Sequence, residues 1–255
     1  MTTAPEPRIR FLLGGVQKAG TSALARYLST HPRLRLPIDK EAHVFDAPDF
    51  DEGWTPEQVD RRYADRFDDA GAGAIHGDAT PFYVMHPRVV ARIARYNPGM
   101  RWIVLLRDPG ERALSHFHME RQRGLEGWPL WPALLLERWR LRGHHEDLQR
   151  GSPLRRHGYR LRGDYARQLD VLYSHFPREQ VLLLRSDRLR EQPAACVREA
   201  CAFLGVEPPA ADASYPPVFV GDYPAPGHWT RGLLRWLLRH ERRALRTRYG
   251  IAFDD

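Results

Sequence analysis

The sequence predicts an α/β domain with a central parallel β-sheet flanked by helices. Its 255 residues are within the size range of one large α/β unit, and 42% of them are hydrophobic, as in ordinary globular proteins. Short apolar runs alternate along the chain with segments of helical periodicity. Such runs are typical of strands buried on both faces, and their alternation with helices is typical of a parallel sheet. We expect one domain over residues 1–255, because no repeat or linker-like tract interrupts the chain.

The apolar runs are the predicted strands. They cover residues 11–16, 74–75, 102–106 and 181–184, of which the second is the weakest. Helical spacing of apolar residues predicts helices over residues 22–29, 89–96, 113–121, 165–176 and 194–204. In an open parallel sheet the ligand crevice lies beyond the carboxyl ends of the strands. The functional residues should therefore follow Val16, Ile75, Leu106 and Leu184.

The net charge of +7 suits an anionic ligand, but it is carried by arginines spread along the chain, with lysine only at Lys18 and Lys40. Spread-out charge is typical of a solvated surface, so nucleic acid is not a predicted partner.

No apolar run approaches the roughly 20 residues that cross a bilayer, so we expect no stable membrane insertion. Residues 1–10 lack the apolar stretch of a secretory signal, and we expect a cytoplasmic protein. Nothing in the sequence specifies an oligomeric state.

A loop that contains glycines and one lysine follows the first predicted strand. It reads Gly14-Gly15-Val16-Gln17-Lys18-Ala19-Gly20-Thr21-Ser22, and a helical pattern begins at its end. Glycines let the backbone approach oxygen atoms, and the free N–H groups of a helix N-terminus attract anions. Thr21 and Ser22 can cap the helix and also donate hydroxyl groups to phosphate. An ordinary strand-to-helix turn would explain the glycines and hydroxyls but not the lysine, so the loop predicts a phosphate site.

A nucleotide kinase or hydrolase is the alternative function for this loop. Gly15 and Gly20 have the glycine spacing of the P-loop motif G-x-x-x-x-G-K-[ST]. That motif places its lysine after the second glycine, where this chain has Thr21, and Lys18 instead precedes Gly20 by two residues. This difference points to another way of holding phosphate. A further alternative is a basic, non-catalytic adaptor that binds polyanions through its arginines.

An arginine directly follows the predicted strand at 102–106. Arg107 has a planar guanidinium, which suits two hydrogen bonds to a phosphate. Pro109 fits the first turn of the next helix, where its missing N–H costs nothing. Ser115, farther along that helix, can add a hydroxyl group in the same crevice. The alternative is that Arg107 pairs with Asp108 or a neighbouring acid at the surface.

The two segments together resemble the PAPS-dependent sulfotransferases, most closely the branch that contains the heparan sulfate sulfotransferases and their bacterial relatives. In that family the first motif holds the 5′-phosphosulfate of 3′-phosphoadenosine 5′-phosphosulfate (PAPS), and the second holds its 3′-phosphate. The resemblance covers roughly residues 9–206. The quoted residues are Lys18-Ala19-Gly20-Thr21-Ser22, Leu106-Arg107-Asp108-Pro109 with Arg112 and Ser115, Lys40-Glu41-x-His43-x-Phe45-Asp46, Thr80-Pro81-x-Tyr83, Gly163-x-Tyr165 and Phe203-Leu204-Gly205-Val206.

This resemblance implies in-line transfer of a sulfuryl group from PAPS to a hydroxyl or amine of a small-molecule or carbohydrate acceptor. Lys18 would neutralise the leaving phosphate oxygen, and Glu41 occupies the position of the catalytic glutamate of the heparan-type enzymes. His43 is the second candidate for the base. No metal is required. The residues expected to bind PAPS are Lys18, Ala19, Gly20, Thr21, Ser22, Arg107, Ser115 and Arg231.

The chain departs from this family in the segment His76-Gly77-Asp78-Ala79-Thr80-Pro81. Many heparan-type enzymes carry a lysine just before Thr-Pro, where this chain has Ala79, which cannot assist catalysis. Asp78 can orient an acceptor hydroxyl, serve as a further base or cap the end of a strand. Asp78, Thr80 and Tyr83 are therefore candidate acceptor-binding residues, while the departure weakens any transfer of acceptor specificity.

Residues 207–255 are predicted to hold a cofactor-closing loop and a basic helix. Gly227-His228-Trp229-Thr230-Arg231-Gly232 is the nearest match to the family's loop, with Arg231 reaching the 3′-phosphate and Trp229 covering the adenine. The alternative is a helix N-terminus at Thr230. In residues 233–249, leucines and a tryptophan are interspersed with arginines. Such a helix can lie on an anionic membrane surface, although docking on the domain is the more common outcome.

Overall fold

The computed structural model describes residues 8–68, 73–210, 213–218 and 226–253. The chain divides into two compact units. The first comprises Met1–Leu106 and Asp170–Phe219, and the second comprises Arg107–Leu169 and Val220–Asp255. The single domain expected from the sequence stays a prediction.

The first unit is built on a five-stranded parallel sheet with the strand order β2-β3-β1-β4-β5. Leu12 of the central strand is in register with Asp78 on one side and Trp102 on the other. The predicted parallel α/β class is confirmed, and all four predicted strands are present. The strands are β1 Ile9–Gly15, β2 Leu34–Arg35, β3 Ile75–Asp78, β4 Arg101–Leu106 and β5 Val181–Arg185.

Twelve α-helices lie in the described part of the chain. Each of the five predicted helices is found, with ends shifted by a few residues at most. They are α1 Thr21–Ser29, α2 Pro56–Arg61, α3 Pro87–Tyr96, α4 Pro109–Gln122, α5 Leu130–Leu135, α6 Glu137–Arg140, α7 Pro153–His157, α8 Tyr165–His175, α9 Ser186–Glu191, α10 Pro193–Leu204, α11 His228–Leu237 and α12 Arg239–Tyr249. Within the described residues, no helix has the length and apolar character needed to cross a membrane.

Close packing at the end of β1 fixes the start of the lysine loop. A Cβ atom added to Gly14 would lie 2.3 Å from the indole of Trp102, and one added to Gly15 would lie 2.3 Å from Val84. Both distances are far below van der Waals contact, so these two positions exclude any side chain. Trp102 is fully buried and belongs to the neighbouring strand β4. The backbone of β1 is therefore held tightly just before the loop begins.

The second unit is helical, and its core forms around α4. Ala113, Leu114 and Phe117 of this helix are buried against Leu234 and Leu237 of α11. Its first turn has Asp108 as the N-cap, whose carboxylate accepts hydrogen bonds from the amides of Gly110 and Glu111. The single C-terminal basic helix expected from the sequence is instead two helices, α11 and α12, which meet at Leu238.

Candidate active site

The loop between β1 and α1 turns tightly and carries Lys18. The amide of Val16 donates a 2.8 Å hydrogen bond to the carbonyl of Leu105 in β4, and the amide of Ala19 donates to the carbonyl of Val16 over 3.2 Å. Lys18 has a φ of 72° and Gly20 a φ of 95°, both in the left-handed region. The half-buried lysine is thus held on a short, fixed piece of backbone directly after the sheet.

The start of α1 suits an anion. Gly20 is the N-cap residue, and no side chain caps the helix. The first amides of a helix have no intrahelical acceptor, and the helix dipole makes this end positive. Thr21 is buried and Ser22 is half-buried at the same end. The geometry fits a phosphate site made by residues 18–22, which stays a prediction.

A second group of predicted site residues lies in the segment before α2. His43 stands between two carboxylates: Nδ1 lies 2.9 Å from Oδ2 of Asp46, and Nε2 lies 3.3 Å from Oε2 of Glu41. The other oxygen of Glu41 accepts a 2.6 Å hydrogen bond from Nζ of Lys40. Asp46 is almost fully buried, whereas Glu41 is partly exposed. The arrangement is a chain of alternating charges that runs from the buried Asp46 through His43 and the partly exposed Glu41 to Lys40.

These contacts set the protonation of the pair. Burial acts to raise the pKa of Glu41, but the hydrogen bond from His43 and the charge of Lys40 outweigh it and hold the pKa at about 2. Burial acts to lower the pKa of His43, but hydrogen bonds to Asp46 and Glu41, together with their charges, raise it to about 9. At neutral pH His43 is therefore an imidazolium and Glu41 a carboxylate.

Asp78, at the end of β3, holds the segment that carries Glu41 and His43 by a hydrogen bond to its backbone. Its buried carboxylate accepts hydrogen bonds from the hydroxyls of Tyr63, Thr80 and Tyr83 at 2.7–2.8 Å. Burial raises the pKa of Asp78, although these hydrogen bonds act in the opposite direction. The carboxylate also accepts a hydrogen bond from the amide of Ala42 over 3.3 Å.

Two of these hydroxyls also hold the segment itself. The hydroxyl of Tyr83 accepts a hydrogen bond from the amide of Val44 at 3.0 Å, and Thr80 Oγ1 accepts one from the amide of His43 at 3.3 Å. Asp78, Thr80 and Tyr83 are all fully buried. The structure thus gives these predicted acceptor-binding residues a positioning role. Of the roles open to Asp78, anchoring at the strand end is the one its contacts match, and acceptor binding by the three stays a prediction.

The lysine loop and the Glu41 segment lie at the same edge of the sheet. β1 and β3 are parallel neighbours, so their carboxyl ends meet there. The lysine loop follows β1, and the Glu41 segment is tied to the end of β3 by the hydrogen bond from the amide of Ala79 to the carbonyl of Lys40. Both predicted segments therefore lie beyond the carboxyl ends of the strands, and the function of their side chains stays a prediction. Asp46 and Tyr63 contact the predicted site residues His43 and Asp78, and the sequence analysis assigned no role to either.

Arg107 and Ser115 belong to the second unit. Arg107 directly precedes the N-cap of α4, and its Nε donates a 3.2 Å hydrogen bond to Glu111. The alternative given for Arg107, pairing with a neighbouring acid, is therefore present with Glu111, while Asp108 caps the helix. Ser115 is buried within α4. Phosphate binding by Arg107 and Ser115 stays a prediction.

Residues 228–232, expected in a loop, form the first turns of α11. The helix begins at His228, two residues before Thr230, the alternative start, and Gly227 is its N-cap with an extended backbone. Nε of Arg231 donates a 2.9 Å hydrogen bond to the carbonyl of Pro226. Binding of the 3′-phosphate by Arg231 stays a prediction.

Comparison with known proteins identifies the family. The sulfotransferase domain family matches residues 8–213. Over 195 residues the chain is 29% identical to the human heparan sulfate glucosamine 3-O-sulfotransferase 3B1, a match that covers 76% of this chain and 45% of that protein. The chain thus spans less than half of the length of this relative.

Similar solved structures are also sulfotransferases. A sulfotransferase from Alicyclobacillus acidocaldarius superposes with a TM-score of 0.75 at 30% identity, over 96% of this chain and 97% of that one. A sulfotransferase from Mycobacterium avium, 13% identical, superposes with a TM-score of 0.53 over 93% and 69% of the two chains, which supports the fold alone. The resemblance noted in the sequence motifs is confirmed, and the chain belongs to the sulfotransferase family.

Proposed function

We propose that this protein transfers the sulfuryl group of PAPS to a hydroxyl or amine of an acceptor by in-line displacement. The observation that carries the proposal is the placement of an ammonium-bearing anion loop and an accessible carboxylate at the same edge of the sheet. Sulfuryl transfer demands little covalent chemistry from the protein, as phosphoryl transfer does. It needs the donor's phosphates held, the leaving oxygen neutralised and the acceptor's proton removed.

The chain offers suitable groups for the donor. Lys18, Ala19, Gly20, Thr21 and Ser22 would hold the 5′-phosphosulfate through the ammonium, the hydroxyls and the amides at the start of α1. Arg107, Ser115 and Arg231 would hold the 3′-phosphate. Arg107 would then exchange its contact with the exposed Glu111 for the phosphate. This exchange is inexpensive, because exposed ion pairs contribute only about 0.2–1 kcal/mol.

Lys18 would act on the leaving group. As the bond between sulfur and the bridging oxygen breaks, its electron pair stays on the phosphate oxygen, and the ammonium would neutralise the charge that develops there. Groups that stabilise developing charge typically contribute about 10²–10³ in rate. The fixed backbone of the loop supports such a role, since it holds the Cα atom of Lys18 in one position just before the start of α1.

Glu41 would accept the proton of the acceptor while the new bond to sulfur forms. His43 is the weaker candidate, because its pKa of about 9 leaves it protonated at neutral pH, with no free site for another proton. The pKa of Glu41 is low partly because of Lys40. An acceptor hydroxyl that displaces Nζ of Lys40 from Oε1 would remove one cause of the low pKa and strengthen the base.

His43 and Asp46 would act through Glu41 rather than on the acceptor. Asp46 fixes the ring of His43, and the imidazolium then orients Oε2 of Glu41.

For the acceptor we propose a carbohydrate or a natural product that offers a hydroxyl or amine. The relatives named for heparan sulfate favour a carbohydrate. A nucleotide kinase or hydrolase is not favoured, since the lysine precedes the loop glycine instead of following it.

Calorimetry with 3′-phosphoadenosine 5′-phosphate, compared with ATP and magnesium, tests the proposal. We expect the bisphosphate to bind and ATP to bind far more weakly. Binding of ATP alone would overturn the assignment. Lys18→Gly should weaken binding of the bisphosphate, whereas the control Arg26→Gln, which removes an exposed cation from α1, should not. Transfer of labelled sulfate from PAPS to small molecules and glycans, followed by mass spectrometry, then identifies the acceptor.

A further inference from the structure

Helix α11 has two apolar faces, of which only one is packed. Leu234 and Leu237 are buried in the core of the second unit. On the other face, Trp229 is 93% exposed, Leu233 is 44% exposed and Trp236 is 58% exposed. The apolar residues that the sequence placed in one helix are thus divided between the core and solvent.

The three exposed residues form one stripe. Their spacing is i, i+4 and i+7, and a helix turns about 100° per residue, so all three project from the same side. Single exposed apolar residues are normal on protein surfaces, but contiguous ones mark an interaction site. Core packing does not explain this stripe, because the core contacts are made by Leu234 and Leu237 on the adjacent side of the helix, while the three stripe residues stay exposed.

The surroundings of the stripe are strongly basic. Residues 228–249 contain seven arginines and one glutamate. Arg235, Arg239 and Arg243 are exposed. The guanidinium of Arg239 lies 4.6 Å from the ring centroid of Trp236 and donates a 2.7 Å hydrogen bond to that residue's carbonyl. A cation therefore stands directly beside the exposed indole.

We propose that α11 and the start of α12 form a docking surface for an anionic lipid bilayer. Interfacial helices carry tryptophan and leucine on one face and arginine beside it, and they lie in the plane of the membrane. Indole rings favour the headgroup level, and arginines pair with lipid phosphates. The protein would bind the surface without crossing it, in agreement with the lack of a spanning helix among the described residues.

A polyanionic saccharide is the competing occupant, and the observations favour lipid. Sulfated chains would account for the arginines and even for a stacked indole. Sulfated chains would not account for Leu233, because a hydrated, charged polymer would not bury its aliphatic side chain. At a bilayer interface all three residues can bury apolar surface among the acyl chains, while the arginines contact the anionic headgroups.

The test is sedimentation of the full chain with vesicles of phosphatidylcholine alone and of equal parts phosphatidylcholine and phosphatidylglycerol. We expect binding to the anionic vesicles only, reduced by salt. Trp229→Ser with Trp236→Ser should lower the partition coefficient by about tenfold or more, since each indole loses buried apolar area. Arg235→Gln, Arg239→Gln and Arg243→Gln together should lower it about 100-fold, at roughly fivefold for each arginine.

Trp139→Ser is the matched control. Trp139 is 68% exposed but lies on α6, outside the stripe, with its ring stacked on Trp128. This variant should bind like the wild type. Equal sedimentation with neutral and anionic vesicles, or an undiminished partition of the double tryptophan variant, would overturn the proposal. So would a double variant that loses heparin binding while keeping vesicle binding. Quenching of the tryptophans by bromine-labelled acyl chains, weakened in the double variant, checks the same contact directly.

Discussion

Nδ1 of His43 donates a 2.9 Å hydrogen bond to Oδ2 of Asp46, a carboxylate that is almost fully buried. This bond fixes the imidazole ring so that Nε2 faces Glu41. The two nitrogens can both donate only while the ring is protonated. The charge of His43 is therefore linked to the position of the proposed base, and this link can be measured.

The first prediction concerns the pH dependence of kcat/KM. Because the pKa of His43 is raised to about 9, the ring loses its proton as the pH rises through that value. A neutral ring keeps its one N–H on Asp46, so Oε2 of Glu41 loses the donor that orients it. We expect this loss of orientation to outweigh the gain in basicity of Glu41, so kcat/KM should fall with an apparent pKa near 9. The variant His43→Asn should have lower activity and lack this fall. An activity that rises through pH 9 would contradict the orienting role of the protonated His43.

The second prediction concerns stability. The pKa of His43 in the folded protein, about 9, is above its ordinary value of 6.5, so folding favours the protonated ring. Its contribution, on the order of 3 kcal/mol, should be fully present below pH 6.5 and disappear as the pH rises through 9. The difference in Tm between wild type and His43→Asn should shrink accordingly between acidic and alkaline buffers. A constant difference would show that packing, not charge, stabilises this position.

The third prediction isolates the proton acceptor. Glu41→Gln keeps the shape of the side chain and removes its basicity, so kcat should fall by about 10²–10⁴ while donor binding is retained. Calorimetry with 3′-phosphoadenosine 5′-phosphate supplies the control, because a folded variant should bind it with wild-type affinity. A variant with near-normal kcat would remove Glu41 from the mechanism.

The fourth prediction concerns the anchor below the site. Tyr83→Phe removes a hydroxyl that donates to Asp78 and accepts from the amide of Val44. Since a buried amide is left without its acceptor, unfolding should become easier by about 2 kcal/mol. Tyr63→Phe removes one donor to the same carboxylate and should cost about 1 kcal/mol. Denaturant titration of the two variants gives the comparison, and the reverse ranking would contradict the proposed bridging role of Tyr83.

The fifth prediction tests the packing under the lysine loop. Gly14→Ala places a methyl group 2.3 Å from the indole of Trp102, which should destabilise the protein by about 1–3 kcal/mol. Gly127→Ala is the control, because nothing lies within 4 Å of its added Cβ. Thermal melts of the two variants should differ clearly. Equal Tm values would mean that Trp102 can move aside without cost.

Much of the fold was predictable because its signals are local. The apolar runs of β1, β4 and β5 and the periodicity of α1, α3 and α10 each lie within a dozen residues of sequence. Strand β2 was missed because two residues, Leu34 and Arg35, are too few to form a pattern. The C-terminal helix was predicted as one piece because the chain at Leu238 has no glycine or proline to mark the break.

The site was predictable only in part, for a related reason. Lys18, Glu41 and His43 could be identified from short motifs. The bond between Tyr63 and Asp78 joins residues 15 positions apart, and no local pattern signals it. Burial of Asp78 depends on the same network, so its anchoring role becomes visible only in three dimensions. Asp46, in contrast, lies within a quoted motif, at a spacing from His43 that could have suggested the pair.

The left-handed backbone at Lys18 favours glycine at a position where the proposed chemistry needs an ammonium. A φ of 72° at a lysine costs about 1–2 kcal/mol in steric strain, which a glycine would not have. A saturation library screened for heat resistance should thus enrich glycine at position 18, and every such survivor would have discarded the ammonium. Selection for catalysis would have to act against that tendency in each generation.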